Sequence, residues 1–93
     1  MIRVFIVDDS AFVRRALTRV LAGQSGVRVV GEAESGAEAL ARVPAADPDF
    51  VTLDVAMPGM DGLQVLPALL RWKPSLRVVM LSAHTHDGAA ATV

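Results

Sequence analysis

The chain of 93 residues contains no cysteine, so neither a disulfide nor a thiolate metal site can form. It has no basic block, and its formal net charge of −1 argues against nucleic acid as a partner. No apolar run approaches the roughly 20 residues of a membrane span. No signal-peptide pattern opens the chain. We therefore expect a cytoplasmic protein that does not enter a membrane.

Apolar residues make up 53% of the chain, too large a fraction for a disordered polypeptide. Four short apolar runs alternate with amphipathic segments. This alternation predicts a parallel sheet with right-handed crossovers. The predicted strands are 3–7, 27–31, 50–53 and 78–81. The predicted helices are 10–21, 35–42, 63–72 and one that begins near residue 86, with Pro44 and Pro48 bracketing a loop.

Three aspartates, here called the aspartate trio, lie where two predicted strands end. Asp8 and Asp9 follow the first apolar run, and Asp54 follows the third. Ligands of open α/β sheets bind outside the carboxyl ends of the strands. Clustered carboxylates repel one another unless a cation lies between them, so we expect an oxygen-ligated ion, Mg²⁺ or similar. The simpler alternative is that Asp9 or Ser10 only caps the first helix.

Other polar residues are weaker candidates for chemistry. Ser82 ends the fourth apolar run, where its hydroxyl could donate to an oxyanion held over Asp54 or could cap a helix. His84 and His86 form an H-x-H pair, which we interpret as exposed loop residues because a third ligand of that type is missing. The arginines of the first two helices are expected to form a solvated face: Arg14, Arg15, Arg19 and Arg42.

The motifs of the chain resemble those of the receiver domain of two-component response regulators. The similar stretches are 7–10 (Val-Asp-Asp-Ser), 53–62 (Leu-Asp-Val-Ala-Met-Pro-Gly-Met-Asp-Gly) and 81–83 (Leu-Ser-Ala). Within that family, the chain is most similar to the N-terminal receiver of the chemotaxis protein-glutamate methylesterase. The segments that carry this second similarity are 7–15, 29–33, 51–55 and 79–83.

The resemblance implies a flavodoxin-like (CheY-like) fold. This fold has three layers, α/β/α, and a parallel sheet in the order 2-1-3-4. The family's fifth strand and last helix are missing, so we expect residues 1–93 to form a single receiver domain that is truncated in or before its fourth helix. Strand four would then be an open apolar edge. Through that edge the chain would self-associate, or it would be only marginally stable.

The resemblance also implies a phosphoryl-accepting switch and not an enzyme. Asp54 would accept a phosphoryl group from a sensor histidine kinase, and Ser82 would hydrogen-bond the acyl phosphate. Mg²⁺ would be ligated by Asp9 and Asp54, by Asp8 through water, and by the backbone carbonyl of Ala56. The signal would pass to a downstream effector domain or protein, and any esterase activity would need a separate catalytic domain.

The sequence leaves two alternatives open. The fifth-strand lysine of the family is missing, and Lys73, which is the only lysine, ends a helix and cannot replace it. The chain could therefore be a receiver-like interaction module that no longer signals. The other alternative is a Mg²⁺-dependent phosphatase of the haloacid dehalogenase kind. Those enzymes place two acids two residues apart, whereas Asp8 and Asp9 are adjacent, so this reading is poor.

Overall fold

The computed structural model describes residues 1–81 and 90–92, in which strands and helices alternate as predicted as far as the fourth strand. The strands are β1 (Ile2–Val7), β2 (Val27–Ala33), β3 (Phe50–Asp54), β4 (Arg77–Leu81) and β5 (Ala90–Thr92). The helices are α1 (Ala11–Ala22), α2 (Gly36–Ala46) and α3 (Gly62–Trp72). They surround one sheet of order β2-β1-β3-β4-β5. Strands β1 to β4 pair in parallel, which confirms the predicted order 2-1-3-4. Across the described part of the chain, no helix has the length and apolar character needed to cross a membrane.

Each helix begins at a residue whose side-chain oxygen accepts a backbone N–H from the first turn. Ser10 does this for α1, Ser35 for α2 and Asp61 for α3, where the Gln64 side chain completes a capping box. A cap of this kind contributes about 1 kcal/mol. Because every helix follows a strand, all three N-termini, with their partial positive charge, lie at the carboxyl edge of the sheet.

The core lies between the sheet and the two helices α2 and α3. Its largest fully buried side chains include Phe5 of β1, Leu53 of β3 and Leu69 of α3. Val4 and Ile6 alternate with Phe5 along β1 and therefore point to the opposite face, which α1 covers. No residue of α1 is fully buried. The fold is therefore held mainly by the α2 and α3 side of the sheet.

The end of α2 differs from the prediction. The sequence places Pro44 in a loop, but the helix continues through it to Ala46, and the C-cap residue Asp47 has a left-handed φ of 47°. The reason is long-range capping. The Arg3 guanidinium donates to the Ala46 oxygen at 2.6 Å and to the Asp47 oxygen at 3.2 Å. These donors satisfy carbonyl groups that the helix end leaves without a helical partner.

The last part of the described chain also differs from the prediction. The sequence predicts a helix from near residue 86 and an open edge on strand four. Residues 90–92 instead form β5, which is antiparallel to β4 and pairs Thr92 with Val79 and Ala90 with Leu81. An unpaired edge leaves backbone N–H and C=O groups available for pairing, and β5 occupies them along residues 79–81. That stretch is therefore not an open edge for self-association.

Candidate metal and phosphoacceptor site

The structure brings the aspartate trio together at the carboxyl edge of the sheet. One carboxylate oxygen from each of Asp8, Asp9 and Asp54 lies within 4.8 Å of the other two. The strands explain this, because β1 and β3 are neighbours in which Val7 pairs with Leu53, and the acids follow directly. Asp8 and Asp54 are 5% and 8% exposed, whereas Asp9 is exposed. The site is therefore closed on the sheet side and open to solvent beside Asp9.

Backbone N–H groups orient the two buried carboxylates. The Ser10 N–H donates to Asp8 Oδ1 at 2.9 Å, and the Ala56 N–H donates to Asp54 Oδ1 at 3.1 Å. In each case the acid accepts from the residue two positions later, which closes a turn at the start of the loop. Ser10 also caps α1, so the predicted cap exists, but it stands beside the acid cluster and does not replace it.

The two buried acids of the trio, Asp8 and Asp54, have raised pKa values. Burial raises the pKa of Asp8 above its usual value, and the neighbouring charge of Asp9 adds to that rise. Burial likewise raises the pKa of Asp54, with further contributions from Asp8 and Asp9, while the hydrogen bond from Ala56 opposes the rise. A divalent cation among these oxygens would stabilise the charged carboxylates, and so would oppose both the effect of burial and the repulsion between the acids. The donor set, three carboxylates, is the kind that Mg²⁺ and Ca²⁺ bind.

The loop after β3 packs closely against the backbone of Asp54. Gly62, the first residue of α3, donates its N–H to the Val55 oxygen at 3.1 Å. A Cβ at Gly62 would overlap the Asp54 backbone oxygen and lie 3.0 Å from the Val55 Cα. Met57 is buried in the hydrophobic core and anchors the loop, while Ala56 is exposed at the rim of the site.

The remaining candidates do not join the site in the described part of the chain. Lys73 lies at the opposite, amino edge of the sheet, where its Nζ donates to Asp47 Oδ1 at 3.2 Å and to the Pro48 oxygen at 2.9 Å. This agrees with the prediction that Lys73 cannot serve the acid site. Three candidates lie outside the described residues, and their roles stay predictions: Ser82, His84 and His86.

Arg14, expected on a solvated face of α1, is instead a neighbour of the site. Its side chain is only 12% exposed. The guanidinium donates to the backbone oxygen of Asp8 at 2.7 Å and to Glu32 Oε1 at 3.0 Å. Residue 14 lies one helical turn after the cap Ser10, and the packing of α1 on the sheet places its side chain beside the acid loop.

Comparison with known proteins defines the class. The family model described as the response regulator receiver domain matches residues 4–93. The chain therefore belongs to the response regulator receiver domain family, as its motifs predicted. A receiver domain is a regulatory phosphoacceptor domain and not an enzyme, so the family match disfavours both alternatives that the sequence left open.

Within the receiver family, the chain is similar to receivers of chemotaxis proteins. The protein-glutamate methylesterase/protein-glutamine glutaminase of Moorella thermoacetica is 50% identical over 92 residues, which are 99% of this chain and 22% of that protein. The response regulator domain of Thermotoga maritima CheB has a TM-score of 0.84 and 39% identity, over 96% of this chain and 66% of that one. The matching chain of the CheX-CheY-BeF3-Mg+2 complex of Borrelia burgdorferi has a TM-score of 0.82 and 36% sequence identity, over 88% of this chain and 62% of that one. The chain spans about a quarter of the length of the methylesterases it matches.

Proposed function

We propose that this receiver domain is phosphorylated on Asp54 in a Mg²⁺-dependent reaction and that phosphorylation switches a chemotaxis output. The observation that carries the proposal is the convergence of Asp54 with Asp8 and Asp9, whose carboxylate oxygens lie within 4.8 Å of one another. Family membership supplies the reaction class, and burial raises the pKa of Asp54, as it does that of Asp8, which is typical of a functional acid site.

The phosphoryl donor in this proposal is a phosphohistidine of a sensor histidine kinase. A carboxylate oxygen of Asp54 attacks phosphorus while the P–N bond to the imidazole breaks. The electron pair of that bond returns to the ring nitrogen, so the histidine leaves as neutral imidazole when its other nitrogen carries a proton. The product is an acyl phosphate on Asp54. The exposed side of the site, beside Asp9 and Ala56, gives the donor room for an in-line approach.

The residues of the site fit Mg²⁺ as the cofactor. Asp9, Asp54 and the Ala56 carbonyl would ligate it, and Asp8 would bind one of its water molecules. The ion would supply positive charge that offsets the three carboxylates and the incoming phosphoryl oxygens. Asp8 is held in place by the Ser10 N–H, and Asp54 by the Ala56 N–H, so both acids are preorganised. Once Asp54 is phosphorylated, the Ser82 hydroxyl would hydrogen-bond the acyl phosphate.

The output of the switch belongs to the same proposal. The signal would pass to a downstream effector domain or protein, and we infer a cytoplasmic location because histidine kinases present their phosphohistidine there. A methylesterase domain like that of the relatives is the first candidate for the effector. Such a domain would carry its own catalytic residues, separate from the aspartate trio.

Beryllofluoride, a mimic of the phosphoryl group, tests the proposal. With Mg²⁺ it should bind the parent saturably, and Asp54→Asn should abolish the binding because the acceptor oxygen is lost. Glu34→Gln is the matched control, since it removes one negative charge from an exposed position and should leave binding unchanged. NMR titration is the measurement. A parent that does not bind, or an Asp54→Asn variant that binds like the parent, would refute the proposal.

A further inference from the structure

Arg14 differs from the other arginines of α1 in its burial and its contacts. Arg15 and Arg19 are exposed, whereas the Arg14 side chain is 12% exposed. Its Nη1 donates to the Asp8 backbone oxygen at 2.7 Å, and its Nε donates to Glu32 Oε1 at 3.0 Å. A single guanidinium therefore connects the acid loop after β1 to the neighbouring strand β2.

The bond from Arg14 acts on a part of Asp8 that nothing else holds among the described residues. The Asp8 N–H donates to the Ala33 oxygen at 3.1 Å, and its carboxylate accepts from Ser10 at 2.9 Å. The Asp8 carbonyl, in contrast, accepts from Arg14. This carbonyl belongs to the planar peptide unit that joins Asp8 to Asp9. Rotation of that unit would move both carboxylates, so the bond from Arg14 fixes how the acid pair is presented.

The charge of Arg14 has the wrong sign for a simple electrostatic aid to the proposed ion. A cation beside the trio repels a second cation, so charge alone would make Arg14 weaken Mg²⁺ binding. Glu32 forms an ion pair with the guanidinium and thereby reduces this repulsion, while the hydrogen bond to Asp8 persists. Geometry and charge therefore predict opposite effects of removing Arg14, which makes the two roles separable.

We propose that Arg14 is a positioning residue that orients the Asp8–Asp9 pair for a divalent cation through its bond to the Asp8 carbonyl, braced by Glu32. The inference rests on the proposed function, because that function names the cation. Loss of an outer partner of a metal ligand typically lowers metal affinity 10- to 100-fold. We expect Arg14→Met to lose at least about tenfold in Mg²⁺ affinity, because methionine keeps the length of the side chain and removes both donors.

The test compares Mg²⁺ affinity in Arg14→Met and Arg15→Met by calorimetric titration of the 93-residue chain. Both variants remove one positive charge from the same helix, but Arg15 is exposed. Arg15→Met should bind Mg²⁺ as tightly as the parent or slightly more tightly. If Arg14→Met does the same, the inference is overturned while the proposed function stands. A parent that binds no Mg²⁺ overturns the proposed function and this inference with it.

Amide hydrogen exchange without Mg²⁺ gives a second readout. In Arg14→Met, the amides of Asp8 and Ser10 should exchange faster than in the parent, whereas the Ala39 amide in α2 should not change. If this variant does not fold, Arg14→Lys replaces it. Its single ammonium keeps the charge but cannot reproduce the fixed fork of a guanidinium, so Mg²⁺ affinity should fall several-fold. Parent-like affinity and exchange in Arg14→Lys would contradict the positioning role.

Discussion

Replacing Gly62 with alanine should destabilise the fold and weaken the acid site together. The new methyl carbon would overlap the Asp54 backbone oxygen, and it would lie 3.0 Å from the Val55 Cα and 3.1 Å from the Asp54 carbonyl carbon. Carbon atoms prefer separations of about 3.5–4.0 Å. The obstructing atoms belong to the backbone and cannot rotate away, so the start of α3 or the loop before it must move by about half an ångström.

Two opposing contributions determine how much Gly62→Ala changes the free energy of unfolding. Overpacking of a well-packed site costs about 1–3 kcal/mol. Alanine is a better helix former than glycine by about 1 kcal/mol in a helix interior, and only part of this gain applies to Gly62 because it is the first residue of α3. We therefore expect the free energy of unfolding to fall by about 1–2 kcal/mol. Because the displaced atoms belong to Asp54, Mg²⁺ affinity should fall as well.

Two other glycines serve as controls for the loss of glycine itself. Gly23 has an ordinary φ of −78°, and a Cβ there would meet its nearest atom at 3.6 Å, so Gly23→Ala should preserve stability. Gly59 has a φ of +79° and open space around it, so Gly59→Ala adds backbone strain of about 1 kcal/mol without crowding. Urea denaturation gives the free energies. If Gly62→Ala is as stable as Gly23→Ala and binds Mg²⁺ like the parent, the crowding argument is refuted.

Three further predictions concern the charges and the rim of the site. Without Mg²⁺ at pH 7, Asp54→Asn should raise the melting temperature, because it removes one of three repelling charges, and added Mg²⁺ should stabilise only the parent. Because the folded pKa values of Asp8 and Asp54 are raised, the fold binds more protons than the unfolded chain between the ordinary and the raised values. The free energy of unfolding should therefore rise as the pH falls through that window. Urea denaturation at several pH values measures it, and a free energy of unfolding that falls as the pH falls there would contradict the prediction. Ala56→Arg should lengthen the lifetime of the acyl phosphate by shielding it from water, and an equal lifetime in the parent would contradict this role.

The positions of the strands could be predicted because each one is a continuous apolar run. The third strand, predicted over 50–53, is Phe50–Asp54 in the structure, and the convergence of the acids followed from parallel pairing alone. The local sequence did not predict the structure where contacts with residues distant in the chain determine it. Pro44 indicated a helix stop, but donors from Arg3 satisfy the extra turn of α2. The strand β5 depends likewise on the free edge of β4, which no local pattern in 90–92 reveals.

The role of Arg14 could not be predicted for a similar reason. Arg14 and Arg15 are identical in type and adjacent in sequence, and about 100° of helical rotation separates their side chains. Which of them meets the Asp8 carbonyl depends on how α1 is rotated against β2, and that rotation is fixed by packing. Periodicity within α1 could therefore place both arginines on a polar face, but only the fold distinguishes the one that contacts Glu32 and the acid loop.

The two edges of the sheet carry opposite electrostatic arrangements, and this division explains how the fold can hold the trio. At the amino edge, cations meet acceptors: Arg3 donates to the Ala46 and Asp47 oxygens, and Lys73 donates to Asp47 and Pro48. These contacts stabilise the chain without any ligand. At the carboxyl edge, three carboxylates converge and burial raises the pKa of two of them. Because the amino-edge contacts do not depend on the trio, the repulsion can persist in the folded chain, and its relief adds to the affinity for a cation.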